Sequence, residues 1–328
     1  MSVTRTWLVA LVAACGSSNA SKIDAGGDGR VSGDGAIAGD AMPVGCPAGA
    51  PPGATCDQLT VTCVSGEPLV ATLAVVPATG TPNGTVVHFS GGGGEGFETI
   101  GAAEYQAAGF QQVFVAWASD WEQTASQGIR AAACRPAAVL QWAHDHQLGG
   151  AFCAQGFSGG AGQVAYALAH YGAGALLDYA NLLSGPPFSR IDLGCDYSKP
   201  ATAQVCSTST TMQLPAAKLN AWEHTTGCGS TSPSAADVAT WNADSVVVGG
   251  TYNYPQTVLQ FHDCTNQATA VTAMAQLYFN QVFTSEGFVN ALASYHCYTA
   301  ADGCQGEDLG TGANAAVQAL IAGCTVRH

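Results

Sequence analysis

Positively charged residues are scarce in this chain of 328 residues. It contains 9 Lys and Arg against 23 Asp and Glu, which gives a formal net charge of −14 at pH 7. A surface of that charge repels the phosphates of nucleic acids and anionic lipid head groups. Charged residues of both signs make up only 10% of the chain. We therefore expect no nucleic-acid partner, and a surface made largely of small neutral residues and backbone.

Recognisable metal and redox motifs are also missing from the sequence. No two cysteines are spaced Cys-x-x-Cys, the spacing typical of zinc ribbons and thioredoxin-like redox sites. His144 and His146 flank Asp145, but they end a predicted helix in a polar stretch and have no third ligand at a recognisable spacing. We therefore predict that these histidines face solvent and that the protein uses neither a metal nor a cofactor.

The apolar run near the start of the sequence is too short to span a membrane. Residues 7–14 number eight, whereas a spanning helix needs roughly 20. The small residues that lead into Cys15 resemble the lipobox of bacterial lipoproteins, in which the cysteine is diacylated and becomes the mature N-terminus. The resemblance implies a signal peptide at 1–14 and a membrane anchor on Cys15; Gly16 in place of Asp implies the outer membrane. The alternative is an ordinary signal peptide with a chance cysteine.

The number of cysteines supports export. There are 13, and an odd count in an exported protein requires one special thiol. With Cys15 lipidated, the other twelve can form up to six disulfides in an oxidising compartment. We predict two of the pairs as Cys195–Cys206 and Cys228–Cys264. We expect the protein in the bacterial cell envelope or outside the cell.

The composition changes after the leader. Residues 15–45 are rich in Gly, Ala, Ser and Asp and lack the apolar periodicity that builds a core, so we predict a flexible tether. The hydrophobic content of the whole chain is 47%, which is enough for one large core. We therefore predict a single domain over residues 46–328.

Apolar runs alternate with helical stretches along this domain. The predicted strands are 69–76, 85–89, 112–117, 151–157, 179–183, 257–261 and 288–295, and the predicted helices are 124–146, broken near Pro136, 161–171 and 313–322. The alternation indicates an α/β fold with a mostly parallel central sheet and helices on both faces. Residues 186–254 are too many for a simple crossover, and we predict an inserted cap there.

A serine flanked by glycines follows one predicted strand. Gly156, Ser158 and Gly160 are spaced as G-x-S-x-G between the strand 151–157 and a predicted helix. On such a tight turn the serine backbone is strained, only small neighbours fit, and the hydroxyl projects above the sheet. The segment resembles the nucleophile elbow of the α/β-hydrolase superfamily of esterases and lipases. The resemblance extends from about residue 60 to the end of the sequence.

The resemblance implies a triad in the chain order Ser, acid, His, with Ser158 as the nucleophile. Only His296 and His328 follow the late strands, and His296, which ends the last predicted run, is the expected general base. Asp263 ends the penultimate predicted strand and is the expected acid. Asp192, which follows the preceding strand, is the alternative acid.

The resemblance also implies an oxyanion hole made of backbone N–H groups. Gly159, directly after the nucleophile, supplies one donor. Four glycines at 91–94 follow an early strand, and we expect Gly92 and Gly93 to supply the other. These residues together imply hydrolysis of a carboxylic ester, small or polymeric, through an acyl-enzyme.

Two alternatives to an esterase stay open from the sequence. A peptidase or an acyltransferase on the same fold is the nearest, because a triad determines acyl transfer but not the leaving group. A binding lipoprotein without turnover is the alternative of a different class. Labelling of Ser158 by a fluorophosphonate, followed by a panel of ester and amide substrates, separates the three.

Overall fold

The computed structural model describes residues 37–63, 67–199, 206, 212–265, 271–284 and 292–327. The predicted signal peptide, Cys15 and the first part of the predicted tether lie outside these residues. The described end of that tether contains two short strands, β1 (Ile37–Ala38) and β2 (Met42–Val44). None of the helices within the described ranges is both long and apolar enough to cross a membrane.

The described strands form one sheet of ten. After β1 and β2 they are β3 (Thr55–Thr62), β4 (Leu69–Val76), β5 (Gly84–Phe89), β6 (Phe110–Trp117), β7 (Ala151–Phe157), β8 (Tyr179–Leu183), β9 (Val258–Cys264) and β10 (Ala293–Tyr298). Their order is β1-β3-β4-β6-β5-β7-β8-β9-β10, with β2 paired to β3. Pairings that involve β1 to β4 are antiparallel, and all the others are parallel. The predicted mostly parallel central sheet is confirmed.

Burial differs between the parallel strands and the antiparallel strand β3. Every residue of β5, β6 and β8 is buried, as expected for parallel strands that are covered on both faces. The strand β3 instead alternates buried residues with more exposed ones, which is the pattern of a strand with one face in water. The sequence prediction missed β3 because it has no continuous apolar run.

Helices cover both faces of the sheet. They are α1 (Ala102–Ala107), α2 (Ile129–Ala132), α3 (Cys134–Asp145), α4 (Gly159–Tyr171), α5 (Ile191–Cys195), α6 (Ala216–Trp222), α7 (Ala235–Asp244), α8 (Val271–Phe283) and α9 (Thr311–Gly323). On β7, Cys153 packs with Tyr105 of α1 and Val317 of α9, whereas Ala154 packs in the main core with Val164 of α4. Successive residues of a strand point to opposite faces, so α9 and α4 lie on opposite sides of β7.

The predicted helix 124–146 is shorter than expected and divided. Its two parts are α2 and α3, with Ala133 between them. Pro136 lies in the first turn of α3. The N–H groups of a first turn have no partner within the helix, so a proline is tolerated there. The break therefore comes before the proline.

The segment predicted as a cap packs closely on the rest of the molecule. Trp222 of α6 and Trp241 of α7 belong to the main hydrophobic core. The hydroxyl of Tyr166, on α4, donates a hydrogen bond of 2.7 Å to the carbonyl oxygen of Asp244 at the end of α7. Residues 200–205 and 207–211 of this segment lie outside the described residues. Its role as a cap stays a prediction.

Six disulfides join the twelve cysteines after Cys15. They are Cys46–Cys56, Cys63–Cys134, Cys153–Cys324, Cys195–Cys228, Cys206–Cys297 and Cys264–Cys304. The expected number is confirmed, but both predicted pairings, Cys195–Cys206 and Cys228–Cys264, are wrong. The chain turns back after α6 and brings Gly229 against Cys195, whose carbonyl oxygen accepts a hydrogen bond from the Gly229 N–H at 2.9 Å. That approach makes Cys228 the partner of Cys195.

Candidate active site

Ser158 occupies the turn between β7 and α4. Its φ is 51°, in the left-handed region that residues with a side chain rarely adopt. A Cβ on Gly156 would overlap the backbone of Gly160, and a Cβ on Gly160 would overlap the carbonyl of Phe89. The G-x-S-x-G spacing is therefore required by close backbone packing at this turn.

Backbone hydrogen bonds hold the turn in place. The N–H of Ser158 donates to the carbonyl oxygen of Leu183 at 2.8 Å, at the end of the neighbouring strand β8. The carbonyl oxygen of Ser158 accepts from the N–H of Gly162 at 3.3 Å, in the first turn of α4. The serine therefore lies at a helix N-terminus, where free N–H groups and the helix dipole favour negative charge.

The glycine loop 91–94 packs against the residue after the serine. A Cβ on Gly159 would overlap the carbonyl oxygen of Gly92. The loop is held by the N–H of Trp121, which donates to the carbonyl oxygen of Gly93 at 2.9 Å, and by the N–H of Trp117, which donates to that of Gly94 at 2.8 Å. These bonds fix the loop next to Ser158.

Gly92, Ser158 and Gly159 line one cleft, whose volume is about 510 Å³. Its other wall is mainly apolar and comes from the segment between β8 and β9, including Pro187, Phe188, Leu214, Pro215 and Trp222. A volume of this size is within the range of small-molecule sites. The structure thus brings together the predicted nucleophile and two of the predicted oxyanion glycines. Gly93 is not among the described residues that line the cleft; it packs against Asp120.

Asp263 lies near the end of β9, next to Cys297 in the register with β10. The residue is fully buried. Burial raises the pKa of its carboxyl group well above the usual range, and the contacts with the Tyr295 side chain and the Gly185 backbone lower it by less. Its role as the triad acid stays a prediction.

His296 lies within β10, one residue before the position that faces Asp263. In the register it pairs with His262, and the two rings stack with centroids 4.8 Å apart. Its Nε2 atom is 3.1 Å from the hydroxyl of Ser294. Neighbouring strand residues point to opposite faces, so this register directs His296 and Asp263 to opposite sides of the sheet. Neither is among the described residues that line the cleft.

The alternative acid, Asp192, is already paired. In α5 its carboxylate accepts hydrogen bonds of 2.8 Å from Nε and 2.7 Å from a terminal nitrogen of Arg190. Two-point pairing of this kind fixes a carboxylate firmly. The structure therefore assigns Asp192 a local partner that the sequence had not indicated.

Two acidic residues of the cleft were missed by the sequence analysis. Glu122 follows β6, and Glu307 lies in the loop after β10; both line the cleft with Ser158. The carbonyl oxygen of Glu307 accepts a hydrogen bond of 2.8 Å from the hydroxyl of Ser184, which follows β8. The sequence did contain a signal for Glu307: it follows the last strand, where the resemblance to α/β-hydrolases places the general base. The only sequence signal for Glu122 was its position after an early strand.

His144 and His146 are the two histidines for which the sequence analysis considered a metal site and predicted none. His146 stacks on Trp142 with ring centroids 4.3 Å apart, and the Nδ1 atom of His144 is 3.5 Å from a carboxylate oxygen of Asp145. Within the described part of the chain, no group of three or more His, Cys, Asp or Glu residues is arranged to hold a metal ion.

Comparisons with known proteins find similarity only among solved structures. No family model and no curated protein matches the sequence. Acetyl xylan esterase 1 from Thermoanaerobacterium sp. is 13% identical, with a TM-score of 0.51 over 86% of this chain and 87% of that one. A prolyl endopeptidase is 10% identical, with a TM-score of 0.50 over 87% of this chain and 45% of that one. An esterase from Pyrobaculum calidifontis is 16% identical, with a TM-score of 0.49 over 81% and 84%.

The likeness to the first two structures concerns the fold. It agrees with the strand order across the sheet, the parallel pairing from β6 to β10 and the serine at the turn between β7 and α4. Identities this low say nothing further about activity. The chain has the α/β-hydrolase fold.

Proposed function

We propose that the protein is a serine hydrolase that cleaves carboxylic esters through an acyl-enzyme on Ser158. The observation that carries the proposal is the position of Ser158, which lies at positive φ before α4 and shares one cleft with Gly92 and Gly159. Such a turn exposes a serine hydroxyl beside backbone donors, which is what acyl transfer requires.

In the proposed reaction the Ser158 oxygen attacks the ester carbonyl carbon while a general base takes the hydroxyl proton. The negative charge that develops on the carbonyl oxygen is stabilised by the N–H groups of Gly159 and Gly92. The carbon–oxygen bond to the alcohol breaks, and the base returns its proton to the leaving alkoxide. Water then attacks the acyl-enzyme by the same route and releases the acid.

We assign the general base to His296 and its orienting acid to Asp263. Burial lowers the pKa of His296, so its imidazole is neutral near pH 7 and can accept a proton. For this assignment His296 must leave its stack on His262. The pairing of β9 and β10 must also shift, because the present register directs His296 and Asp263 to opposite sides of the sheet. Glu307 is the alternative base, since it already lines the cleft.

The cleft is consistent with a small ester substrate. Its volume of about 510 Å³ and its apolar wall suit a small acyl or alcohol group. The likeness to an acetyl xylan esterase covers most of both chains. A peptidase is the second candidate, supported by the likeness to a prolyl endopeptidase, but this chain covers only 45% of that protein.

We also propose that the protein is exported and held in the cell envelope by a lipid on Cys15. Six disulfides support an oxidising compartment outside the cytoplasm. The thirteenth cysteine is Cys15, which lies outside the described residues. Its lipidation rests on the resemblance to the lipobox.

A fluorophosphonate probe tests the nucleophile. The protein should become labelled on Ser158, as located by peptide mass spectrometry, and Ser158→Ala should remove the label. Ser184→Ala is the matched control, because Ser184 also follows a strand at positive φ and should leave the label on Ser158. Turnover of an ester and amide panel then ranks the substrates. Full labelling of Ser158→Ala, or no label and no turnover in the native protein, would overturn the proposal.

A further inference from the structure

Glu122 is a fully buried acid in the wall of the proposed cleft. Its exposed fraction is 0%, and it lines the same cavity as Ser158 and Gly92. The preceding residue, Trp121, donates its N–H to the carbonyl oxygen of Gly93 at 2.9 Å. This bond ties the position of Glu122 to the glycine loop that borders the nucleophile.

The carboxyl group of Glu122 has no partner outside its own residue. Neither of its oxygens makes a hydrogen bond to another residue in the described ranges. A buried carboxyl group without a partner is costly, and buried polar groups in folded proteins nearly always have one. Since Glu122 lines the cleft, a bound ligand can supply the missing partner.

The surroundings of Glu122 favour its neutral form. Burial, and to a smaller extent Asp120, raises its pKa well above the usual range, whereas the bond to its own backbone N–H and the charges of Lys218 and Arg135 lower it by less. A neutral carboxyl group has one O–H donor and an oxygen acceptor. The group that matches both is a hydroxyl, which also donates and accepts.

A cationic ligand fits this position less well. An ammonium group would have to ionise a fully buried carboxyl and approach the charges of Lys218 and Arg135. Lys218 lies on α6, with its Nζ atom 5.3 Å from the ring centre of Trp222, and both residues line the cleft. The positive charge at this wall therefore opposes a second one.

We propose that the Glu122 carboxyl group binds a hydroxyl group of the ester substrate, so that the enzyme prefers hydroxy esters over otherwise identical esters without the hydroxyl. The apolar wall of Phe188, Leu214 and Trp222 holds the carbon chain between the ester and that hydroxyl. This inference rests on the proposed function of Ser158.

Matched pairs of esters test the preference. On the acyl side the pair is p-nitrophenyl 6-hydroxyhexanoate and p-nitrophenyl hexanoate; on the alcohol side it is 3-hydroxypropyl butanoate and propyl butanoate. In at least one pair the hydroxyl should raise kcat/KM about tenfold, the worth of one well-made hydrogen bond. p-Nitrophenyl 6-aminohexanoate tests a cation in the same place and should be the poorest acyl substrate.

Two substitutions connect the preference to Glu122. Glu122→Gln keeps a neutral donor and acceptor and should keep the ratio of kcat/KM within the preferred pair. Glu122→Leu removes both, and the ratio should fall to about one. Because the buried carboxyl group has no partner in another residue, Glu122→Leu should not lower the melting temperature, so a folded variant is expected. A ratio that persists in Glu122→Leu, or a higher rate with the amino ester, would overturn the inference.

Binding separates this inference from the proposed function. In the Ser158→Ala background, calorimetry with methyl 6-hydroxyhexanoate and methyl hexanoate, and with the two butanoates, measures affinity without turnover. The hydroxy ester of the preferred pair should bind about tenfold more tightly, and a further Glu122→Leu substitution should remove the difference. Equal affinities in both pairs would refute the role of Glu122, whatever the activity of the native protein.

Discussion

His296 pairs with His262 in the parallel register of β9 and β10, and the two rings stack with centroids 4.8 Å apart. The Nδ1 atom of His262 is 2.9 Å from the hydroxyl of Tyr298. Burial and the neighbouring His296 lower the pKa of His262 to about 3. His262 is thus neutral at neutral pH, and the stack places no second charge beside the proposed base.

The first prediction concerns the general base. His296→Ala should lower kcat by about 10⁴-fold or more, close to Ser158→Ala, because a serine hydroxyl without a base is a poor nucleophile. Glu307→Gln, which keeps the size of that side chain, should change kcat little. Steady-state kinetics with a p-nitrophenyl ester measures both.

His262→Gln controls for damage to the stacked strands, and it should keep most of the activity. The reverse result for the two principal variants, with Glu307→Gln at the level of Ser158→Ala and His296→Ala active, would move the base to the loop after β10.

The second prediction concerns the acid. Asp263→Asn should lower kcat by about 10⁴-fold while the protein still folds, because the imidazole loses the group that orients it. Asp192→Asn should leave kcat nearly unchanged and lower the melting temperature slightly, since it breaks the pair with Arg190. Circular dichroism establishes folding, and kinetics decides the roles. If only Asp192→Asn lost activity, the role of the acid would belong to Asp192 and not to Asp263.

The third prediction concerns alkaline pH and the pair Glu223 and Asp244, whose carboxyl groups contact each other. Burial and the neighbouring Asp244 raise the pKa of Glu223 to about 9. Burial also raises the pKa of Asp244, and the contacts with Glu223 and Arg130 lower it by less. The folded state therefore holds a proton that the unfolded chain releases near pH 4.5. The contribution to stability is complete below pH 4.5 and is lost as the pH rises towards 9.

Melting temperatures at pH 6 and pH 9 test this prediction. The value should fall with pH in the native protein, and the fall should be smaller in Glu223→Gln, which keeps an acceptor for the N–H of Ile129. Asp145→Asn, on a side chain that is 58% exposed, should show the native slope. Parallel slopes in all three proteins would exclude the shared proton as the cause.

The fourth prediction concerns Cys15. Replacing Cys15 with Ser should move the protein from the membrane fraction to the soluble fraction, because the lipid chains and not the short apolar run would hold it there. Fractionation with immunodetection measures the distribution. A variant that stays in the membrane fraction as fully as the native protein would contradict lipidation.

The sequence predicted the elements with strong local signals. The bounds of β4, β7 and β8 agree with the predicted strands, because each is a short segment made mostly of apolar residues. The helix α8 was missed; it follows β9 without a recognised start signal. The last strand begins at Ala293 and not at residue 288, and residues 288–291 lie outside the described ranges.

Features that depend on the meeting of distant segments could not be predicted. The pairing of Cys206 with Cys297 joins residues that are 91 positions apart, and spacing alone does not select it. Glu122 and Glu307 reach one cleft from loops after β6 and β10. The G-x-S-x-G motif was informative because its strain is local to one turn.

The disulfide between Cys153 and Cys324 can form only late in the synthesis of the chain. Cys324 is made 171 positions after Cys153, and the segment between them includes Ser158, Asp263 and His296. The strand that leads to Ser158 therefore cannot be joined covalently to the end of α9 until this whole segment has been synthesised and the two thiols have been oxidised. A chain whose synthesis stops before Cys324 contains the G-x-S-x-G motif without this cross-link.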